Sequence, residues 1–347
     1  MDKNLIKLVC ERMKNIEKGD FAETCRISNI DINKWEWPQG VGLFGMYLNY
    51  KNNGDKTILD WIINWFENNI KEGIPERNIN TTCPMLTLAY VAEETGNKKY
   101  MDMCVDWVNW VMDELPRTDN GIFQHLCTDI KNENQIWDDT LFMTGLFVAK
   151  MAQLLDDARL KEEIEYQFLM HVRYLFDTST GLWFHGWTFK MNDNFGRVLW
   201  GRGNCWLTAG IPIFVEALPD MSPSVRRYLI NVLECQIKAL EKYQHESGLW
   251  HTVINDDTSY LETSATSGFA FGILKAVHMG IIDKKYEAVG LKAIEAIKEQ
   301  IDEDGTVKNV SYGTGVGRSV DYYKNIPLCT MAYGQALTLL ALNEYEG

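Results

Sequence analysis

Four short stretches of the chain repeat one pattern, in which polar residues precede a glycine and an extended aromatic or β-branched segment follows it. The copies lie at 118–125, 178–185, 245–251 and, more weakly, 302–307. Their glycines are 60, 67 and 57 residues apart, which leaves room for two helices and a connection in each interval. A repeat of this length indicates a helical hairpin that cannot bury its apolar face alone.

Apolar residues recur at helical spacing through the rest of the chain. The predicted helices lie near 3–18, 39–52, 55–72, 82–95, 97–114, 138–155, 160–176, 202–216, 223–243, 262–279, 283–301 and 328–345. No strand-rich block or long linker divides them, so the sequence predicts one all-α domain over residues 1–347. Six hairpins can close into an (α/α)6 barrel with extended segments and loops at one mouth. An open helical solenoid is the alternative, but no polar repeat caps either end.

Charge and composition exclude several classes of function. The 347 residues carry a net charge of −14, with no long Lys/Arg run, so nucleic acid and anionic membranes are not expected partners. No run of 18 apolar residues and no N-terminal signal segment is recognisable, which predicts a soluble, cytoplasmic protein. The eight cysteines form no CxxC pair and read as buried free thiols.

Two adjacent carboxylates, Asp138 and Asp139, follow Trp137 and open an apolar run. Neighbouring helical residues point about 100° apart, so the two side chains cannot have the same role. One is expected to cap the helix or lie in its first turn. The other would face a pocket beside Trp137, where lost solvation raises a carboxyl pKa towards that of a general acid. A capped helix start without catalytic function is the commoner origin of such a pattern.

Three histidines share one structural position. His125, His185 and His251 follow their repeat glycines at offsets of four, four and three residues. Side chains in equivalent loops at one mouth are expected to face a common cavity. A metal site is disfavoured because no carboxylate lies at ligand spacing and no HxH or HExxH pair occurs. The histidine pattern therefore argues against a metal site.

Three further stretches are candidates for substrate contact. Arg202 lies between two glycines and two tryptophans, Trp200 and Trp206, where its planar fork could bind a carboxylate, or it could simply begin a helix. The 35–42 segment, with Trp37, is either an aromatic platform or an ordinary loop. The glycine-rich 312–318 string lacks the GK[ST] and strand context of nucleotide sites and is interpreted as a substrate loop.

These stretches together resemble glycoside hydrolase family 105, the unsaturated rhamnogalacturonyl hydrolases, and more distantly the family 88 unsaturated glucuronyl hydrolases. The resemblance rests on Trp35-x-Trp37-x-x-Gly40, Asn80-x-x-x-Pro84-Met85-Leu86, Trp137-x-Asp139-Thr140-Leu141-Phe142-Met143, His185-Gly186-Trp187, Trp200-Gly201-Arg202-Gly203-Asn204-x-Trp206 and Gly313-Thr314-Gly315-Val316-Gly317. It covers nearly the whole chain.

The resemblance implies an (α/α)6 barrel without metal or cofactor. It also implies an acidic oligosaccharide substrate, left by a polysaccharide lyase, with a 4,5-unsaturated uronic acid at its non-reducing end. Asp139 aligns with the family's general acid. The carboxylate-binding and stacking positions fall on Trp37, His185, Trp200, Arg202 and Trp206, and Trp137 lies beside them. The family's second aspartate has no counterpart in 78–84, where Asn80 is a possible hydroxyl contact.

The implied chemistry hydrates a vinyl ether, so one carboxyl that first gives and then takes a proton is sufficient. Two other enzyme classes stay open at this point. An ordinary (α/α)6 glycosidase would need a second opposed carboxylate. An epimerase-like sugar enzyme would need a histidine pair, such as His185 with His251. A helical-repeat binding module, the non-enzymatic alternative, would need no desolvated aspartate.

Overall fold

The computed structural model describes residues 2–16, 31–128 and 130–347. Thirteen α-helices lie in these ranges: α1 (Asp2–Lys14), α2 (Trp37–Asn53), α3 (Lys56–Glu72), α4 (Ile79–Thr95), α5 (Lys98–Asp113), α6 (Leu146–Leu155), α7 (Ala158–Leu175), α8 (Gly201–Ala217), α9 (Pro223–Tyr243), α10 (Thr263–His278), α11 (Glu287–Lys298), α12 (Val320–Lys324) and α13 (Ala332–Glu346). A π-helical turn, Leu141–Gly145, leads into α6, and a 3-10 turn, Lys284–Tyr286, leads into α11.

The strands are short and form four antiparallel two-stranded ribbons. They are β1 (Gln135–Trp137), β2 (Phe176–Asp177), β3 (Leu182–Trp183), β4 (Gly186–Thr188), β5 (Trp250–His251), β6 (Leu261–Glu262), β7 (Val310–Ser311) and β8 (Leu328–Cys329). Three ribbons pair neighbouring strands, β2 with β3, β5 with β6 and β7 with β8. The fourth joins β1 to β4 across the α6–α7 hairpin, and it shapes the site described below.

The helices close into a ring. Six inner helices, α2, α4, α6, α8, α10 and α13, pack in that order, and α13 packs back on α2. Each outer helix packs on an inner one: α3 on α2, α5 on α4, α7 on α6, α9 on α8, α11 on α10 and α1 on α13. The predicted (α/α)6 barrel is therefore confirmed, and the open solenoid is wrong.

Inner and outer helices differ in how much of their surface is buried. Nearly every residue of α8 and α10 is buried, because each has neighbours on all sides. The outer helix α3 instead buries one stripe, formed by Ile58, Ile62, Trp65 and Phe66, and exposes the opposite face, as expected for an amphipathic surface helix. None of the helices in the described ranges is long and apolar enough to cross a membrane.

The four repeat glycines all adopt the left-handed backbone conformation that the turn pattern predicts. Their φ angles are 75°, 79°, 95° and 86° at Gly121, Gly181, Gly248 and Gly305. At Gly248 a side chain would also meet backbone, since an added Cβ would lie 2.5 Å from the carbonyl oxygen of Lys292 in α11. The turn is thus pressed against an outer helix.

Two predicted helix boundaries need correction. The last helix begins at Ala332 rather than near 328, because Leu328 and Cys329 pair with β7. The short helix α12 was not predicted. At the other end of the chain, α1 ends at Lys14, and the predicted continuation to 18 runs into residues outside the described ranges.

Close packing of α8 against α10 generates a stability prediction. An added Cβ at Gly272 would lie 2.2 Å from the carbonyl oxygen of Thr208, whereas one at Gly210 would meet only Phe142, at 3.7 Å. Gly272→Ala should therefore lower the free energy of unfolding by about 1–3 kcal/mol through overpacking. Gly210→Ala is the matched control and should stabilise by roughly 0.5 kcal/mol through helix propensity. Urea unfolding measures both, and equal effects would contradict the packing account.

Candidate active site

A cavity of about 410 Å³ opens at the mouth of the ring. Four inner helices, α2, α4, α6 with its π-helical turn, and α8, contribute lining residues at or just before their N-terminal ends. The lining includes Trp35, Trp37, Asn80, His125, Trp137, Asp139, Met143, Trp200, Arg202, Thr314 and Gly315. Lys34, Glu36, Asn69, Glu72 and Thr128 are also among the lining residues.

The β1–β4 ribbon assembles the centre of this cavity from distant parts of the sequence. Trp137 pairs with Gly186 in the ribbon, and the backbone N–H of Asp138 donates to the carbonyl oxygen of His185 at 3.0 Å. An added Cβ at Gly186 would lie 3.2 Å from the Trp137 ring, so a glycine allows the indole to lie close against the strand. The ribbon thereby places His185 beside the two aspartates.

Asp139 lies on the cavity lining and contacts His185 behind it. One carboxylate oxygen of Asp139 is 3.5 Å from Nε2 of His185, which is close enough for an ion-pair contact but longer than a regular hydrogen bond. The side chain of Asp139 is 17% exposed and that of His185 only 2%. His185 therefore lies behind Asp139 and not on the cavity lining, although the sequence analysis counted it among the substrate-contacting positions.

A tyrosine fixes the protonation state of His185. The hydroxyl of Tyr323 lies 2.8 Å from Nδ1 of His185 and accepts the backbone N–H of Gly317 at 2.9 Å. We infer that the phenolic proton is directed at Nδ1, in which case a neutral imidazole carries its proton on Nε2, facing Asp139. Burial lowers the pKa of His185, against the opposing effect of Asp139, and so favours this neutral form.

Asp138 is enclosed beneath Asp139. It is fully buried, and neither carboxyl oxygen has a hydrogen-bond donor among the described residues. The absence of a side chain at Gly203 leaves space for Asp138, because an added Cβ there would lie 2.3 Å from a carboxyl oxygen of Asp138. The glycine after Arg202 therefore serves the buried acid.

The two carboxyl groups have opposite pKa shifts. Burial, followed by the charge of Asp139, raises the pKa of Asp138 well above its usual range. Burial also acts to raise the pKa of Asp139, but hydrogen bonding from His185 and Asp138 outweighs it and lowers the pKa. The sequence argument expected a raised pKa at the pocket-facing acid. The pKa that is raised belongs instead to the buried Asp138, because the nearby imidazole of His185 stabilises the Asp139 carboxylate.

The three repeat histidines do not share one cavity. His125 lines it, stacks on Trp137 at 4.3 Å, and burial lowers its pKa to about 4. His185 lies behind Asp139. His251 is not a lining residue, and its Nδ1 contacts the backbone oxygen of Ser259 at 2.5 Å. Neither a three-histidine metal site nor the His185–His251 pair is therefore assembled among the described residues.

Arg202 borders the cavity but is largely buried, and its guanidinium already donates hydrogen bonds within the protein. Its two terminal nitrogens donate to the Ser311 backbone oxygen and hydroxyl, to the Tyr312 carbonyl oxygen at 3.0 Å and to the Thr314 hydroxyl at 3.1 Å. These partners are all neutral. A substrate carboxylate that made the predicted bidentate contact would therefore either replace these hydrogen bonds to the glycine-rich loop or bind beside them. Since no carboxylate is among these partners, the positive charge of Arg202 remains available at the cavity.

The tryptophans divide between lining and support. Trp37 lines the cavity and stacks on Tyr333 at 4.9 Å, and Trp200 lies under the Arg202 guanidinium at 4.6 Å. Trp206, which was predicted to border the substrate, is not a lining residue and packs edge-on against Trp37 at 5.9 Å. Its helical position turns it into the core between inner helices.

The sequence analysis missed the roles of Tyr323 and Thr314. Both lie in or just after the glycine-rich string, which was interpreted as a substrate loop without assigning side chains. Their contacts with His185 and Arg202 join residues more than a hundred positions apart. No local spacing signals such a pairing.

Within the described ranges, Asp138, Asp139 and His185 form a group that could hold a metal ion. One potential ligand atom from each residue lies within 4.8 Å of the other two. A divalent cation would need both carboxylates ionised. Asp138 lacks any donor and has a raised pKa, so it is poorly suited as a ligand. The cluster is therefore better suited to binding a proton than to binding a metal ion.

A closed ring of helical hairpins with an acid set in an aromatic mouth defines an (α/α)6-barrel hydrolase. The chain belongs to Glycosyl Hydrolase Family 88, whose family profile matches residues 6–347.

Individual relatives agree with this assignment. The chain is 31% identical over 313 residues to the unsaturated rhamnogalacturonyl hydrolase YesR of Bacillus subtilis, covering 89% of this chain and 88% of that protein. It is 46% identical to a crystal structure from Salmonella enterica serovar Paratyphi A, described as a possible member of the GH105 family. That match has a TM-score of 0.95 and covers 99% and 93% of the two chains.

The fold extends to more distant proteins. The unsaturated glucuronyl hydrolase of Bacillus sp. GL1 superposes with a TM-score of 0.76 at 16% identity, over 99% of this chain and 96% of that one. At this identity the likeness shows the shared barrel.

The Tyr323 contact generates a prediction. Tyr323→Phe removes the hydroxyl that holds Nδ1 of His185, so the imidazole proton can move to Nδ1 and Asp139 loses its donor. A lost buried hydrogen bond costs about 1–3 kcal/mol, or roughly 10–100-fold in kcat if it acts on the transition state. Nitrogen NMR of His185 should show the change of tautomer.

The matched control is Tyr100→Phe, which removes a buried tyrosine hydroxyl bonded to Glu67 on the outer helices. It should leave both kcat and the His185 spectrum unchanged. An unaltered spectrum and rate in Tyr323→Phe would mean that Tyr323 does not set the state of His185.

Proposed function

We propose that this protein hydrolyses oligosaccharides that carry a 4,5-unsaturated uronic acid at the non-reducing end, and that it does so by hydrating the C4=C5 double bond. The observation that carries the proposal is the meeting of Asp139 and Arg202 in one aromatic cavity, in a chain that matches this family over almost its whole length. An acid and a cation in one pocket are what an unsaturated uronate requires.

The electrostatics of the mouth favour an anionic sugar, although the whole chain is strongly acidic. Four inner helices direct their N-terminal ends at the cavity, where the helix dipole is positive. Arg202 adds a full charge that neutral oxygens of residues 311–314 do not cancel. The uronate carboxylate would lie on this side, near Arg202 and Thr314. Trp37, Trp137 and Trp200 would contact the sugar faces, and Asn80 would meet a hydroxyl.

The proposed reaction begins with Asp139 protonating C4. The π electrons of C4=C5 form the new C–H bond, and the positive charge at C5 is shared with the ring oxygen. Water then adds to C5 while the Asp139 carboxylate removes its proton. The resulting hemiketal opens and the aglycone leaves. One carboxyl acts first as acid and then as base, so no second, opposed carboxylate is needed.

The nature of the leaving sugar is a narrower proposal. The name of the Bacillus subtilis relative specifies a rhamnogalacturonyl substrate, and that protein matches this chain over most of both lengths. We infer a rhamnogalacturonan-derived oligosaccharide, as produced in pectin degradation. The cytoplasmic location stays a prediction from the sequence.

The test follows the ultraviolet absorbance of the conjugated enol-ether carboxylate. Purified protein incubated with lyase-generated rhamnogalacturonan oligosaccharides should abolish this absorbance, with and without EDTA. Asp139→Asn should lower kcat by roughly 10²–10⁴-fold, the usual contribution of a positioned acid or base. Asp60→Asn, on the exposed face of α3, is the matched control and should retain wild-type kcat.

Persistence of the absorbance with wild-type protein would contradict the proposed substrate class. If Asp139→Asn kept more than about a tenth of the activity, Asp139 would not be the acid. Inhibition by EDTA, reversed by a divalent metal, would make the cluster a metal site.

A further inference from the structure

We infer that Asp138 is the proton-holding partner of Asp139: the two carboxyl groups bind one proton between them, and Asp138 is the positioning residue that keeps Asp139 able to act as an acid. The inference rests on the proposed function, since it concerns the proton that Asp139 delivers. It assigns a role to a buried side chain that the reaction, as written above, does not use.

The first support is the environment of Asp138. Its side chain is fully enclosed, and both oxygens lack a donor from any described residue. A buried carboxylate without hydrogen bonds costs several kcal/mol, whereas a protonated carboxyl in the same place costs far less. An ionised Asp138 would therefore destabilise the folded protein, whereas a protonated Asp138 would do so much less.

The second support is the contact between the carboxyl groups. Oxygens of Asp138 and Asp139 and a ring nitrogen of His185 all lie within 4.8 Å of one another, so the two carboxyls are neighbours in the wall of the cavity. Two carboxylates have only acceptors, so this contact is a bond only if one of them keeps its proton. The proton resides mainly on Asp138, because Nε2–H of His185 faces Asp139.

The third support is the room that the chain makes for this arrangement. Gly203 has no side chain where an added Cβ would lie 2.3 Å from Asp138 and 2.9 Å from the Trp200 ring. Any other residue at 203 would displace the acid. The two carboxyls are adjacent in sequence yet point to opposite sides of the wall, one to the cavity and one to the packing of α8.

The titratable groups nearest the pair come from several elements. His185 lies beside Asp139, and His125 faces Asp139 from the cavity lining, where burial lowers the pKa of His125 to about 4 and keeps it neutral. Arg202 and Cys205 approach from α8 and Tyr323 from α12. Burial raises the pKa of Cys205 and that of Tyr323, so both stay neutral. The local balance is thus one proton shared by two acids beside a neutral imidazole.

The pair then acts as follows. The single proton passes from Asp138 to Asp139 as Asp139 protonates C4, so both carboxyls are ionised while the sugar ring is positive. Water adds to C5 and its proton returns to the pair. The like charges make the ionised pair a strong base for this second step. Protons balance over the cycle.

The test compares wild type with Asp138→Asn, which keeps the size of the side chain but cannot hold the shared proton. Infrared difference spectra of the protein without substrate should show the C=O stretch of a protonated carboxyl in wild type, and the variant should lack it. The kcat of the variant should fall at neutral pH by about tenfold or more and recover as pH is lowered. Without its partner's proton, Asp139 is protonated only in more acidic solution. KM should change little.

Glu344→Gln is the matched control, because burial raises the pKa of that carboxyl at the far end of α13. It should leave the kcat–pH profile unchanged. Asp138→Ala serves as the second variant if Asp138→Asn fails to fold, and it should give the same spectrum and the same shift of profile.

Two results would overturn the inference: a wild-type spectrum whose protonated-carboxyl band survives in the Asp138 variants, or variants whose kcat–pH profile matches wild type. The infrared band needs no substrate. If the band behaves as expected but unsaturated uronosides are not consumed, the shared proton stands and the proposed function fails.

Discussion

The contact between the buried carboxyl of Asp138 and the cavity-facing carboxyl of Asp139 is the constraint on which the rest of the mouth depends. Holding an unpaired charge there would cost several kcal/mol, a large part of the 5–15 kcal/mol by which a domain is stable. The fold meets this cost in three ways. Gly203 gives Asp138 space, His185 offers Asp139 a donor, and Tyr323 fixes which nitrogen of His185 bears the proton. These groups come from four separate segments, so the site exists only when the ring is closed.

The same closure reconciles an acidic chain with an acidic substrate. A net charge of −14 repels anions at long range, but repulsion between exposed charges is screened within about 10 Å at moderate salt. Inside the mouth, the converging helix N-termini and Arg202 supply local positive potential beside the lining carboxylates Glu36, Glu72 and Asp139. Arg202 has a second function in this arrangement, because its hydrogen bonds hold residues 311–314 at the cavity edge. Charge recognition and loop position are therefore coupled through one side chain.

The sequence predicted the ring well because its signals are local: helical periodicity, and turn glycines whose positive φ follows from the repeat. It also located Asp139, Trp37 and Arg202 on motifs that the cavity does contain. It could not predict which carboxyl has the raised pKa, since that depends on His185, brought in by the β1–β4 ribbon. It placed Trp206 beside the substrate, but the rotation of α8 within the ring decides which flanking tryptophan faces the cavity. Tyr323 was beyond reach because only the tertiary fold brings it to a histidine 138 residues away.

The position at which water enters the sugar tests the central claim most directly. If Asp139 protonates carbon and water adds across the double bond, reaction in ¹⁸O-labelled water will place the heavy oxygen at C5 of the released keto sugar. The aglycone will keep its original oxygen, and reaction in deuterium oxide will leave deuterium at C4. Mass spectrometry and NMR of the products read both labels. Heavy oxygen at C1 of the donor sugar, with no deuterium at C4, would show ordinary glycosidic cleavage and contradict the account.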